Sequence, residues 1–391
     1  MNEAVIVEAV RTPIGRGKPN VGWMSSFHAT KLLALSLKGV LDRAGLDMEA
    51  VDQVIGGCVT QAGEQSCNVT RNAWLSIGKT YKVGGTTVDT QCGSGQQANH
   101  MVSAFIKAGS FDVGIAGGVE AMSHVGLGAN VINGPGYFQP EDWPWDSAPD
   151  QFTYAERLAK HRGVTREDVD KFGLWSQQKA VAARDEGRFK REILPVEAPI
   201  LGDDGKPTGQ THIVDTDQGI RPSNLEALAN LKPVIAGGIH TAGNSSQISD
   251  GSAAILWMSR EKAKEYGLKP RARMIADVVV GTDPHFLLDG PVDATRAILK
   301  KTGMTLNDID LIENNEAFAG VVLSWAKVFE PDMTKLNVNG GAIALGHPVG
   351  CTGTRLIVTA LHELERRNKS RALILMCCGA AVGTGAIIER L

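Results

Sequence analysis

The chain has 391 residues, 43% hydrophobic and 21% charged, with 45 glycines, a composition that excludes a disordered or fibrous protein and predicts a soluble α/β chain of two or three domains or subdomains. Its net charge of −3, with both signs dispersed, argues against nucleic-acid binding but leaves room for a local basic pocket. No apolar run approaches the ~20 residues that span a bilayer, and six cysteines (58, 67, 92, 351, 377, 378) without a CxxC pair argue against zinc and against a disulfide framework.

The first seven residues, Met1 to Val7, lack the basic region and apolar core of a signal peptide, and Glu389-Arg390-Leu391 is no peroxisomal tripeptide. Reduced cysteines then predict a cytoplasmic protein. The first informative element is a helix ending in Leu41-Asp42-Arg43-Ala44-Gly45-Leu46, followed by a strand at Val51–Ile55. The same helix, Gly turn and strand recur at Leu299–Met304 and Ile309–Ile312, with Leu41/Leu299, Gly45/Gly303, Asp52/Asp310 and Val54/Ile312 sharing one offset of 258 residues.

Cys92 follows in Val88-Asp89-Thr90-Gln91-Cys92-Gly93-Ser94-Gly95, ahead of a helix that reads to about Ala108. A cysteine at a helix N-terminus meets the positive dipole end and unpaired N–H groups, which favour thiolate and predict nucleophilic acyl transfer through sulfur. Read alone, a buried structural cysteine is the commoner case. The repeat offset sets Cys92 against Gly350, inside a second turn, Gly346-His347-Pro348-Val349-Gly350. Each helix then leads to an apolar strand, Val113–Ala116 or Ala372–Met376. A duplicated βα unit of this kind places its helix N-termini and strand ends at a shared cleft.

Between the halves, at about 119–248, the character changes. Turn residues at Gly126–Gly128 and Asn133–Gly136 precede Tyr137, Phe138, Trp143 and Trp145 among prolines, which predicts buried or interfacial aromatic packing. Arg166 to Arg184 reads as an amphipathic helix with Val169, Phe172, Trp175, Ala180 and Ala183 near one face. An inserted loop domain covering the cleft or mediating assembly is expected.

Three later segments carry chemical residues. Asn314-Asn315-Glu316-Ala317-Phe318 follows the strand Ile309–Ile312; read alone, an Asn pair is more often turn chemistry than catalysis. His347, fixed in direction between Gly346 and Pro348, could take the proton of Cys92. Cys377-Cys378-Gly379 lies where the strand Ala372–Met376 runs out, and a thiol there could act as acid and base.

Together the Cys92 segment, Asn315-Glu316-Ala317-Phe318, Gly340-Gly341-Ala342-Ile343-Ala344-Leu345-Gly346-His347-Pro348 and Cys377-Cys378-Gly379 resemble the thiolases, the family of β-ketoacyl-CoA thiolases and acetyl-CoA acetyltransferases, over essentially the whole chain. The Cys92–His100 and His347–Gly353 segments look most like actinobacterial thiolases of steroid side-chain degradation. The resemblance implies an α/β fold of duplicated βαβ halves in a five-layered α-β-α-β-α core. It divides the chain into an N-terminal half, 1–118 completed by about 249–269, a CoA-binding loop domain, 119–248, and a C-terminal half, 270–391. It implies ping-pong cleavage of a β-ketoacyl-CoA by CoA through an acyl-Cys92 intermediate. His347 would be the base, Cys377 the second acid and base, Asn315 the holder of a water, and Gly379 an oxyanion donor with Cys92. CoA contacts would come from Arg221, Ser246, Ala317 and Phe318; for Arg221 a solvated surface arginine is the even alternative. CoA and acetyl-CoA enter as substrates with no permanent cofactor, and a homodimer or homotetramer follows.

Several positions depart from the family pattern. Ala380 and Ala381 replace glycines after Gly379, adding methyls near the pocket, and Cys378 stands where a branched apolar residue is usual. Gln151 and Phe152 suggest a reshaped acyl pocket, and Gln96 replaces an apolar residue in the Cys92 helix. Biosynthetic condensation to acetoacetyl-CoA is the alternative direction. A β-ketoacyl synthase would favour two histidines where Asn315 and Cys377 stand, and a non-catalytic lipid-binding relative would be expected to lack one of the reactive residues.

Overall fold

The computed structural model describes residues 2–78, 80–132, 139–148 and 150–391. Its main sheet contains β1 (Ala4–Arg11), the short β2 (Gly15–Arg16), β3 (Gln53–Gly57), β4 (Gly84–Val88) and β5 (Val113–Ala121) from the first part of the chain. A separate hairpin, β6 (Val196–Leu201) and β7 (Pro207–Val214), precedes β8 (Ser249–Ser259), β9 (Ala272–Gly281), β10 (Leu311–Asn314), β11 (Arg371–Cys378) and β12 (Val382–Arg390). Strand order is β10-β11-β12-β9-β1-β8-β5-β3-β4, with β2 paired to β8. The two halves meet at the β1–β9 junction, where β9-β12-β11-β10 on one side corresponds to β1-β8-β5-β3 on the other, through a short antiparallel pairing of Val5 with Arg273 and Ile6 with Ala272. Pairing is parallel where helices cross over, β3 with β4 and β5 and β10 with β11, and antiparallel elsewhere.

The duplication extends to single hydrogen bonds. Gly45 and Gly303 both end helices, α1 (Ala29–Ala44) and α9 (Gly290–Thr302), at φ 64° and 69°, the left-handed conformation glycine adopts without strain. Asp52 Oδ2 accepts the N–H groups of Asp112 and Val113 at 3.0 and 2.8 Å, and Asp310 Oδ2 accepts those of Ser370 and Arg371 at 2.9 and 3.0 Å. In each half this aspartate ties the start of one strand to its parallel neighbour.

Helices α3 (Ser94–Lys107) and α12 (Val349–Arg366) touch strands of both half-sheets and form the middle layer; α1 and α2 (Val69–Ile77) cover the first half, and α9 covers the outer face of the second, with α10 (Ala319–Phe329) beside it. The middle helices meet backbone to backbone. A Cβ on Gly353 would lie 2.3 Å from the Gln96 nitrogen, and one on Gly95 2.8 Å from the Gly350 carbonyl. This close approach brings both helix N-termini to one point, so a larger side chain there would push Cys92 and His347 apart.

In the intervening segment, α5 (Gln151–His161) is followed by α6 (Arg166–Asp185), whose start is fixed by a Thr165–Asp168 capping box. Val169, Phe172, Ala180 and Ala183 are buried as expected, whereas Trp175 is only partly so. Trp143 and Trp145 are 42% and 54% exposed in the single chain, which departs from burial within it; Asn133–Phe138 lie outside the described residues. Arg11, at the end of β1, anchors this segment by pairing with Glu192 at 2.6 Å and Asp217 at 2.7 Å. Among the described residues no helix is long and apolar enough to cross a membrane.

Candidate active site

Cys92 sits on the turn between β4 and α3, with Gln91 before it at φ 52°. The Ser94 hydroxyl closes the turn by accepting the Thr90 N–H at 2.9 Å. The backbone N–H groups of Gly379 and of Cys92 itself hydrogen-bond toward the sulfur. These donors do not produce the resting thiolate that the helix-terminus argument predicts. Burial, at 6% exposure, with a smaller push from the Glu120 carboxylate, raises the thiol to about 12. Cys92 is therefore a neutral thiol at pH 7 and needs a base.

His347 is the candidate base, linked to Cys92 through Asn315 and Cys377. Gly346 turns the chain at φ 115°, and the His347 N–H reaches the Gln247 carbonyl and the Ser249 hydroxyl, both at 3.1 Å. Its Nδ1 lies 2.7 Å from Thr352 Oγ1, and that hydroxyl donates to the Pro348 carbonyl at 3.0 Å. A hydroxyl has one proton to give, so the pairing assigns the imidazole proton to Nδ1 and leaves Nε2 as an acceptor. Asn315 Nδ2 donates to that Nε2 at 3.3 Å. Burial, assisted by the nearby Arg355 charge, lowers His347 to about 3, which keeps the ring neutral at pH 7. Thr352 was no candidate on sequence grounds; its signal is its position five residues after the histidine, one turn into α12.

Asn315 extends β10 by one residue, its N–H bonded to the Leu375 carbonyl at 3.0 Å. Its amide and the Ala317 N–H both hydrogen-bond to the Cys377 sulfur, and Cys92 is near enough for its charge to raise Cys377 further after burial has done so. Strand alternation separates the two adjacent cysteines. Cys377 faces Asn315 and Ala317, whereas Cys378 turns under α3, toward the Gly93 N–H and the Thr384 hydroxyl.

The structure thus brings Cys92, His347, Asn315, Cys377 and Gly379 together. Two buried carboxylates that sequence reading gave no role hold the surrounding loops. Glu316 accepts from Ser176 at 2.6 Å, Asn337 at 2.9 Å and the Ile343 N–H at 3.2 Å, tying the segment that leads to His347 onto α6. Glu120 accepts the N–H groups of Val59, Thr60 and Gly350 at 3.0, 2.9 and 3.0 Å. Gln96, whose consequence the sequence left open, donates to the Ile374 carbonyl at 3.1 Å and accepts from Thr384, joining α3 to the second half-sheet.

The remaining candidates lie on neighbouring segments. The Ser246 N–H meets the Ala317 carbonyl at 2.9 Å, and Phe318 packs edge-on against Phe152 at 4.9 Å. Arg221 is half-buried, its backbone N–H held by Gln177 at 3.0 Å.

Ala380 and Ala381 form the turn after Gly379 at φ 59° and 54°. Ala380 is exposed and Ala381 partly so, and the main effect of these methyls is backbone strain. The left-handed region costs an L-residue roughly 1–2 kcal/mol. Ala380→Gly and Ala381→Gly are each expected to stabilise the fold by about 1 kcal/mol, read as a higher urea midpoint; an unchanged or lower midpoint contradicts the strain.

Family descriptions match both parts of the chain: "Thiolase, N-terminal domain" over residues 4–261 and "Thiolase, C-terminal domain" over 268–390. Across its full length the chain is 42% identical to a steroid 3-ketoacyl-CoA thiolase of Mycobacterium tuberculosis, covering 95% of that protein. It is 40% identical to a 3-ketoacyl-CoA thiolase of Bacillus subtilis, with 100% of each covered. It superposes on the Bacillus anthracis acetyl-CoA acetyltransferase with a TM-score of 0.90 at 36% identity, and on human mitochondrial 3-ketoacyl-CoA thiolase with 0.87 at 34%. Each superposition covers 100% of this chain and 99% of the other.

Proposed function

The chain belongs to the thiolase family of acyltransferases, and on that premise we propose that it cleaves a β-ketoacyl-CoA with CoA, releasing acetyl-CoA and a shortened acyl-CoA. The observation that carries the chemistry is the neutral Cys92 thiol beneath two backbone N–H groups, grouped with a neutral imidazole and a second thiol.

His347 Nε2 takes the Cys92 proton as the sulfur attacks the 3-keto carbon. The Cα–Cβ bond then breaks, and the departing enolate of acetyl-CoA takes its proton from the Cys377 thiol. The acyl group stays on Cys92. A second CoA gives its thiol proton to the Cys377 thiolate, and its sulfur attacks the acyl carbonyl carbon, forming the new thioester as the Cys92–carbon bond breaks. As Cys92 leaves, His347 returns its proton. The enolate oxygen would face His347 and a water held by Asn315, whose Oδ1 is buried without a protein partner among the described residues. The thioester oxygen would lie between the N–H groups of Cys92 and Gly379, each such donor contributing roughly 3–4 kcal/mol to the barrier.

Residues 119–248 serve in this reading as the loop domain over the site. Ser246, Ala317 and Phe318 line the pantetheine path, and Arg221 meets the nucleotide end. The two halves are 1–118, completed by about 249–269, and 270–391. The working form is a cytoplasmic homodimer or homotetramer without a permanent cofactor. Fatty-acid or steroid side-chain β-oxidation is the setting; the 42% identity to a steroid 3-ketoacyl-CoA thiolase supports the second.

The test is loss of β-keto absorbance when purified protein meets acetoacetyl-CoA and CoA, run beside a bulky steroid-like β-ketoacyl-CoA. Turnover of either substrate is expected, with the bulky one preferred. No turnover of either rejects the thiolase chemistry, and equal or better turnover of the short chain rejects the steroid assignment.

A further inference from the structure

Arg16 and Arg221 lie near one another, joined through Gln218, and neither has a carboxylate partner among the described residues. Arg221 is half-buried, yet its Nη1 reaches only the Gly219 carbonyl, at 3.4 Å. Arg16 is exposed at the end of β2, near enough for its charge, after burial, to make Arg221 harder to protonate.

The placement is built rather than incidental. Gln218 staples the Gly15–Trp23 loop to the segment carrying Arg221. Its Oε1 accepts the Arg16 and Trp23 N–H groups, both at 2.9 Å, and its Nε2 donates to the Val21 carbonyl at 3.0 Å. On the other side, Gly17 N–H meets the Ile248 carbonyl at 2.7 Å, Arg16 pairs with Ser249 in the sheet, and Gln247 Nε2 reaches Gly219 at 3.4 Å. Arg16 and Arg221 therefore flank the Ser246–Ile248 segment. Holding two like charges together costs free energy unless an anion sits between them, and this chain is net negative with carboxylates it could have placed there.

We propose that Arg16 and Arg221 form a two-guanidinium clamp for the phosphate groups at the nucleotide end of CoA. This assignment rests on the CoA-thioester reading above and adds Arg16 and its loop to the binding site.

Calorimetric titration of CoA into wild type and Arg16→Gln, beside KM for acetoacetyl-CoA and for the acetoacetyl thioester of pantetheine, tests it. Arg16 is exposed, so the variant should fold. The expected result is about tenfold weaker CoA binding, with the loss in turnover falling on KM rather than kcat and absent for the pantetheine thioester. Titrating 3′-dephospho-CoA assigns the phosphate. A variant that binds it as wild type does points to the 3′-phosphate, and one that binds it about tenfold more weakly points to the diphosphate. Unchanged CoA binding in Arg16→Gln overturns the clamp, and so does an equal loss for the pantetheine thioester. A wild type that cannot thiolyse acetoacetyl-CoA, but whose CoA binding still falls in the variant, would reject the chemistry and keep the clamp.

Discussion

Cys92→Ala is expected to abolish thiolysis of acetoacetyl-CoA, and His347→Gln to lower it about 10⁴-fold at pH 7. The first variant removes the atom that carries the acyl group. The second removes the base while leaving Cys92 near 12, because the groups that set that value are burial, Glu120, Asp89 and the two backbone N–H groups. A thiol near 12 is ionised to about one part in 10⁵ at pH 7. The residual rate of His347→Gln should therefore rise about tenfold per pH unit as thiolate accumulates.

The wild-type profile should differ in kind. His347 is lowered to about 3, so its neutral form is present throughout the assay range and is lost only as pH falls through that value. Neither His347 nor Cys92 then gives a limb between about pH 5 and 9. Initial rates across that range check both statements. A Cys92→Ala enzyme with wild-type turnover would falsify the acyl-sulfur route, and a pH-independent residual rate in His347→Gln removes His347 as the base.

Arg11→Met should cost about 3–5 kcal/mol of stability at pH 7. Arg11 is fully buried, its guanidinium bonded to Glu192 at 2.6 Å and to both oxygens of Asp217 at 2.7 and 2.9 Å. Methionine fills much of the volume but leaves two buried carboxylates without their cation. Burial already raises Glu192 above the usual carboxylate range despite Arg11, which pulls it down. Without the arginine it rises further. A carboxyl raised in the folded state penalises stability above its folded pKa, and the penalty is relieved as pH falls through it. The deficit of Arg11→Met should thus shrink between pH 7 and 5, read from urea midpoints at both values. A deficit below about 1 kcal/mol, or one that grows on acidification, excludes this account.

Much of the fold can be read in repeated local signals. Gly45 and Gly303, or Asp52 and Asp310, mark the same turn twice because each half must end a helix and start a strand under the same backbone constraints. Cys92, Asn315, His347 and Cys377 are legible for a related reason: each sits at the end of a strand or the start of a helix. The sequence alone therefore determined the α/β class, the duplication and which side chains to propose as reactive.

Tertiary structure decided their chemical state. The helix terminus at Cys92 argues for thiolate, but the burial imposed by both half-sheets outweighs it and leaves a thiol near 12. Thr352 fixes the His347 tautomer, Glu316 and Glu120 hold the converging loops, and Arg16 lies near Arg221 from a segment far away in the chain. Helix caps and strand patterns depend on neighbours a few residues away and are written locally. Desolvation, hydrogen-bond partners and opposed charges depend on which distant residues share the same few ångströms, and only the assembled fold sets that.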